Sequence, residues 1–125
     1  MKIANRDARQ WVVKQHPFEG SNLFGQLFCV DPKDPSPGQS GYVVYSYGPH
    51  HPLLVSVTID GRDEWFANED GYSQSTKRHM SQCRPDTYSQ GSVTLNWLST
   101  AWMKRLVQGG YRELVKARVV EGVAA

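Results

Sequence analysis

The chain has 125 residues, a formal net charge of +2, and ordinary fractions of apolar (39%) and charged (21%) residues. A chain of this length fits a single domain over residues 1–125 and can bury a core without disulfides or a structural metal. Its apolar runs are shorter than the ~20 residues that a membrane helix needs, and no apolar block follows the N-terminal Met-Lys-Ile. We therefore expect a cytoplasmic protein with no membrane partner and no secretory signal.

Charge is distributed unevenly along the chain. Residues 1–70 carry six Lys/Arg against nine Asp/Glu, whereas residues 71–125 carry eight Lys/Arg against three Asp/Glu. A basic C-terminal part can attract phosphate groups. The alternative is that the two parts neutralise each other within one fold, and the sequence leaves both interpretations open.

The first half of the chain predicts a helix, a strand and a long loop. Apolar residues at helical spacing around Trp11 predict a helix over residues 6–14, which ends before Pro17. Residues 23–30 are mostly apolar and predict a strand. The segment 31–41 contains three prolines and two glycines, so it predicts an internal loop.

The central part of the chain carries the strongest strand signals. Residues 42–48 and 52–59 are rich in β-branched and aromatic residues, and Asp60-Gly61 predicts a hairpin into residues 64–67. Alternation along a regular strand places Tyr45 and Tyr47 on one face and Tyr42 on the other. These segments predict an antiparallel meander of strands.

The C-terminal part predicts one long helix and an ambiguous segment. Ser92 is a candidate N-cap for a helix to about Gln108, whose apolar stripe is Leu95, Leu98, Trp102 and Leu106. In residues 111–120, Val115, Ala117 and Val119 alternate as in a strand, although Leu114, Val115 and Arg118 also suit a helix; we favour the strand.

The predicted fold class is therefore α+β. It consists of an antiparallel meander sheet of 3–5 strands, with the N-terminal helix and the longer C-terminal helix packed on one face.

The segment 72–85 is the candidate binding site, because hydroxyls, amides and cations are the groups that bind phosphate oxygens. If Ser75 or Thr76 caps a short helix, the free N–H groups add to an anion site. The expected partner is a protein or a phosphate-bearing nucleic acid; alternatively, the hydroxyls cap a turn and the cations are only solvated. The candidate residues are Tyr72, Ser73, Ser75, Thr76, Lys77, Arg78, His79, Ser81, Gln82 and Arg84.

His79 is the one candidate for catalysis. A phosphodiesterase or nucleotide-processing enzyme would use His79 as a general base, with Lys77 or Arg78 holding the phosphate. The sequence supplies no second general acid, no nucleophile elbow and no glycine-rich phosphate loop. It therefore favours binding over catalysis, and we assign no catalytic residue.

A metal site would need about four ligands in tetrahedral geometry. His50, His51, His79 and Cys83 supply them only if the turn at His50 folds onto the segment 72–85. Without a paired-ligand motif, we predict no metal and no cofactor. The two cysteines, Cys29 and Cys83, are expected to be free thiols.

Two motifs carry a family resemblance. The run Tyr-Val-Val-Tyr-Ser-Tyr-Gly at 42–48 and the run Ser-Thr-x-x-His-x-Ser-Gln-x-Arg-Pro at 75–85 resemble a family of small uncharacterised proteins of bacteriophages, plasmids and other mobile elements. The resemblance spans roughly residues 1–110, and Lys77 stands where relatives often have Ser or Thr. It implies a host-takeover or anti-defence protein, for example an anti-CRISPR-type inhibitor, that binds a host protein or nucleic acid.

Overall fold

Six strands and four helices make up the part of the chain that the computed structural model describes, residues 1–70, 73–87 and 93–120. The strands are β1 (Phe18–Glu19), β2 (Leu23–Phe28), β3 (Gln39–Ser46), β4 (Pro52–Ile59), β5 (Arg62–Asn68) and β6 (Leu95–Leu98). The helices are α1 (Ala8–Val13), α2 (Gln74–Cys83), α3 (Thr100–Val107) and α4 (Tyr111–Val120), and a 3-10 turn, Asn5–Asp7, precedes α1. None of these helices has the length and apolar composition needed to cross a lipid bilayer.

The strands lie in one sheet in chain order. Neighbours from β1 to β5 are antiparallel, whereas β6 pairs with β5 in parallel. Asp60 and Gly61 join β4 to β5 with φ angles of 51° and 81°, as a two-residue hairpin turn with right-handed strand twist requires. The α+β class is thus confirmed, but the predicted purely antiparallel sheet of 3–5 strands is wrong, because the sheet is mixed and has six strands.

Helices cover both faces of this sheet. Residues Gly41–Ser46 of β3 are all buried, with Tyr42 and Val44 in the cluster beneath α1 and α2, and Val43 and Tyr45 in the cluster beneath α3 and α4. A strand buried on both faces has a continuous rather than an alternating apolar run. The prediction that both helices pack on one face is therefore wrong.

The predicted long C-terminal helix is divided into a strand and a shorter helix. Leu95–Leu98 pair with β5 from Trp65 to Asn68, and α3 begins only at Thr100. Ser99 is the N-cap, since its side chain accepts a hydrogen bond from the backbone N–H of Trp102 at 3.3 Å. The predicted cap, Ser92, lies outside the described residues.

Residues 111–120 form helix α4, so the preferred strand interpretation is wrong. Leu114 is buried, and the side chains of Tyr111 and Arg118 reach the same carboxylate of Glu64, at 2.7 and 2.8 Å. Positions 111, 114 and 118 lie on one side of a helix, and all three face the sheet. These contacts favour a helix, although the local alternation of apolar residues predicted a strand.

The proline-rich segment forms turns between β2 and β3. Residues 31–38 contain no strand or helix, and β3 begins at Gln39, two residues before the predicted end of the loop. The side chain of Arg112 in α4 binds Asp31 at 2.7 Å, which attaches this connection to the α3–α4 face.

Candidate functional site

The predicted binding segment folds as helix α2. Ser73 is its N-cap, and the Ser73 hydroxyl accepts a hydrogen bond from the backbone N–H of Thr76 at 3.2 Å. Neither Ser75 nor Thr76 is the cap, in contrast to the conditional prediction. The helix ends at Cys83 because Arg84 precedes Pro85, and the proline ring disfavours helical backbone angles in the residue before it.

Helix α2 directs the predicted site residues to opposite sides. Thr76, His79 and Cys83 recur at spacings of three and four and are buried against the sheet. Gln82 is half-buried, and Tyr72 lies outside the described residues. The outward-facing members of the site are Ser73, Ser75, Lys77, Arg78 and Ser81.

His79 makes a buried polar contact with the sheet. Its side chain is only 7% exposed, and its Nδ1 lies 2.7 Å from the hydroxyl of Ser46, which is completely buried. Burial, with a smaller effect from the charge of Arg78, lowers the pKa of His79 below its usual value. The imidazole is therefore neutral near pH 7 and acts as a hydrogen-bonded core residue.

Tyr47 covers the same histidine from outside. Its ring centroid is 5.4 Å from that of His79, and the side chain is 56% exposed. The predicted common face for Tyr45 and Tyr47 is wrong: β3 ends at Ser46, Tyr47 has a φ angle of 70°, and Tyr45 packs in the cluster beneath α3 and α4.

These contacts give little support to catalysis by His79. A general base needs access to a substrate proton and usually a group that orients its ring. No carboxylate among the described residues hydrogen-bonds to His79. The group that contacts its ring is the hydroxyl of Ser46, which is completely buried and inaccessible to a substrate.

The described residues also contain no group of three His, Cys, Asp or Glu side chains placed to hold a metal ion. His79 contacts Ser46, whereas Cys83 packs in the core beneath α1 and α2. Burial raises the pKa of the Cys83 thiol to about 12, so the thiolate that a metal requires is disfavoured.

Arg9 of α1 connects the two helices on this side of the sheet. Its Nε donates to the backbone carbonyl of Arg84 at 3.1 Å, and its Nη2 donates to the carbonyl of Ser81. The carbonyl of Ser81 belongs to the last turn of α2 and that of Arg84 to the residue after it, where helical partners are missing. Sequence reasoning missed Arg9 because its role depends on a contact between residues 75 positions apart.

The two helices and the residues that flank them are rich in cations. Residues 5–14 and 73–87 contain six Lys/Arg and only two Asp/Glu, Asp7 and Asp86. We call this the basic helical face; its cations are Arg6, Arg9, Lys14, Lys77, Arg78 and Arg84. Lys77 and Arg78 are exposed, and neither forms an ion pair with any residue that the structure describes.

Cations of the C-terminal part are used differently. Arg112 pairs with Asp31 at 2.7 Å, and Arg118 pairs with Glu64 at 2.8 Å. At these positions, the second half of the chain neutralises acids of the first. The other cations of α3 and α4, Lys104, Arg105 and Lys116, form no ion pair with a described residue, so residues 93–120 keep five Lys/Arg against one Asp/Glu. The basic helical face is a second cationic region, which combines residues from both halves of the chain.

A cleft opens beside the basic helical face, between α2 and β6. It has a volume of about 270 Å³, and its wall includes Trp97, which is 46% exposed. The guanidinium of Arg84 lies 5.5 Å from the centroid of the Trp97 ring and is held by two hydrogen bonds to Asp86, at 3.0 and 2.8 Å. We call this the Trp97 cleft. Its aromatic wall was not predicted, because β6 itself was not predicted.

Comparisons with known proteins give no relative for this site. No protein-family model matches the chain, and no curated protein or solved structure shows significant similarity to it. The resemblance to proteins of mobile elements therefore stays a prediction, and the functional argument depends on the geometry above.

Proposed function

We propose that the chain is a small binding protein whose basic helical face occupies an anionic host partner, a protein or a nucleic acid, in the cytoplasm of a bacterial cell. The observation that supports this proposal is the pair of adjacent exposed cations on α2, Lys77 and Arg78, which form no ion pair with a described residue and lie on a face with six Lys/Arg against two Asp/Glu. Clustered charge of one sign attracts oppositely charged partners over distances beyond direct contact.

The rigidity of α2 favours binding through this face. The helix is capped by Ser73, anchored by the buried side chains of Thr76, His79 and Cys83, and bonded at its last turn by Arg9. A surface that is ordered before binding loses less conformational entropy when a partner docks. Because the side chain of His79 points into the core, the structure supports the enzyme alternative much less than it supports binding.

The mobile-element resemblance supplies the biological setting of the proposal. A host-takeover or anti-defence protein acts by occupying a host component, for which an exposed surface is sufficient. The exposed cations of α2 fit that mode of action, and an anti-CRISPR-type inhibitor is its most concrete form.

Affinity capture from a host lysate tests the proposal. The variant Lys77→Ala/Arg78→Ala removes two exposed cations of α2, and the matched control Lys33→Ala/Arg62→Ala removes an exposed Lys and Arg elsewhere. The wild type and the control should retain a stoichiometric partner that is released by rising salt, whereas the α2 variant should lose it. A partner retained equally by all three proteins would refute the role of the basic helical face.

A further inference from the structure

The Trp97 cleft combines an aromatic wall with an apolar floor. Leu53 and Met80 contribute apolar atoms to the cleft, and nearly half of the Trp97 surface remains exposed beside them. Ligand pockets for drug-sized molecules usually measure about 300–1,000 Å³. A cleft of about 270 Å³ is therefore suited to one small planar group.

Charges of opposite sign line the two sides of this cleft. Lys77 and Arg84 belong to the α2 side, and Glu69 and Asp70 follow the end of β5 on the other. The carboxylate of Asp70 is fixed by Thr100, whose backbone N–H and hydroxyl donate to it at 2.9 and 2.8 Å. These bonds lower the pKa of Asp70, which keeps this carboxylate ionised.

We propose that the basic helical face binds a single-stranded nucleic acid and that the Trp97 cleft receives one of its bases. This inference rests on the proposed function and specifies its partner. The base stacks on Trp97, as bases stack on exposed aromatic side chains in single-strand-binding proteins, while the phosphates follow Lys77 and Arg78.

The carboxylates of the cleft give the bound strand one orientation. Glu69 and Asp70 repel phosphates, so the backbone lies on the α2 side. Their oxygens accept hydrogen bonds from the amino groups of a base edge, which enters the cleft between them and Trp97. The mixed charge of the cleft is thus consistent with a nucleotide, whose phosphate is anionic and whose base carries hydrogen-bond donors.

A single strand fits this geometry better than a duplex does. In a duplex the bases are stacked inside the helix and expose only their edges, whereas an unpaired base can turn outward and stack on a side chain. Trp97 is 46% exposed, which leaves part of its surface available to an unpaired base, and the guanidinium of Arg84 lies over the same ring, 5.5 Å from its centroid.

Fluorescence anisotropy with labelled DNA and RNA strands of about 12 nucleotides, and with the corresponding duplexes, tests this inference. The wild type and Lys33→Ala/Arg62→Ala should bind a single strand more tightly than a duplex. Trp97→Ala should weaken binding by about tenfold, because the stacking surface is lost, whereas Trp97→Phe should retain most of the affinity. Lys77→Ala/Arg78→Ala should weaken binding and reduce the slope of log K against log salt by about 1.4.

The outcomes separate this inference from the proposed function. If Lys77→Ala/Arg78→Ala weakens binding but Trp97→Ala does not, the basic helical face binds nucleic acid and the role of the cleft is wrong. If no strand binds, or duplexes bind as tightly as single strands, the inference is overturned. Capture of a host protein that the α2 variant loses would then still support the proposed function. Far-UV circular dichroism and urea unfolding verify that Trp97→Ala is folded, and Trp97→Phe tests stacking with less structural change.

Discussion

Substituting His79 by alanine should unfold the protein more readily, because the imidazole is part of the core beneath α2. The change leaves the completely buried hydroxyl of Ser46 without the ring nitrogen that now lies 2.7 Å away. An orphaned buried polar group costs about 1–3 kcal/mol. The space left by the ring adds about 1 kcal/mol or more, so the total destabilisation is expected to be about 2–4 kcal/mol.

Urea unfolding followed by tryptophan fluorescence measures this effect. The matched comparison is Lys77→Ala, which removes an exposed side chain two residues away and should change stability by less than about 0.5 kcal/mol. A double-mutant cycle with Ser46→Ala should give a coupling energy of about 1–2 kcal/mol for the hydrogen-bonded pair.

The same histidine predicts a pH dependence. The pKa of His79 is lowered in the folded protein, so the unfolded chain, with a histidine pKa of about 6.5, takes up the proton first as the pH falls. The contribution of His79 to the free energy of unfolding is fully present above the unfolded pKa. It is lost as the pH falls from there through the folded pKa. His51 also has a lowered pKa and adds an effect of the same sign, so the test is the part of the decline that His79→Ala removes.

The reasoning fails if His79→Ala costs no more than Lys77→Ala and the cycle with Ser46→Ala is additive. That result would mean that the imidazole is not held against the sheet in solution. His79 would then be available to solvent, and the enzyme alternative would regain support.

Two further substitutions and one labelling experiment test other parts of the structure. Gly109 has a φ angle of +94°, and a Cβ there would lie 2.5 Å from Cδ of Pro32, whereas Gly61 has a φ angle of +81° and open space. In urea unfolding, Gly61→Ala should lower the free energy of unfolding by about 1 kcal/mol, because alanine is strained in the left-handed backbone conformation. Gly109→Ala should lower it by about 1–2 kcal/mol more, because its Cβ also clashes with Pro32. Equal costs for the two substitutions would contradict the packing of Pro32 against Gly109. A thiol reagent near pH 8 should modify the exposed Cys29 rapidly. Cys83 is buried and its thiol pKa is raised to about 12, so it should react only when the protein unfolds. Rapid modification of both thiols would contradict the burial of Cys83.

Local sequence signals were sufficient for the central hairpins but not for the layering of the fold. The turn residues Asp60-Gly61 and the β-branched runs on either side determine β4 and β5 through short-range preferences. The buried run from Tyr42 to Ser46 already contained a signal for helices on both faces, since it lacks polar alternation.

The C-terminal errors have a common physical cause. Leu95, Leu98, Trp102 and Leu106 fit a helical stripe, but the first two belong to a strand that exists only because β5 offers a parallel partner. In residues 111–120, local alternation indicated a strand, whereas contacts with the distant Glu64 favour a helix. Non-local pairing of this kind cannot be derived from one segment at a time.

The candidate site was located by composition, but its geometry was not. Clustered hydroxyls and cations indicated the segment 72–85, whose role in binding stays a prediction, and the spacing of Thr76, His79 and Cys83 could have identified its inward face. By contrast, Arg9 and Trp97 reach α2 only through tertiary contacts. The expected source of positive charge was the C-terminal half, and residues 93–120 do carry five Lys/Arg against one Asp/Glu. The cationic face that combines α1 and α2 was not expected, because it joins residues from both halves of the chain.

Site-specific photo-crosslinking tests most directly whether the partner docks on the basic helical face. A benzophenone side chain introduced as Ser81→p-benzoylphenylalanine lies on the exposed side of α2, and the same group at Ser36 lies in the exposed proline-rich turn region. After capture of the partner and irradiation, the Ser81 derivative should form a covalent adduct with it and the Ser36 derivative should not. An adduct from Ser36 alone, with an equally folded Ser81 derivative remaining unlinked, would show that the partner binds elsewhere.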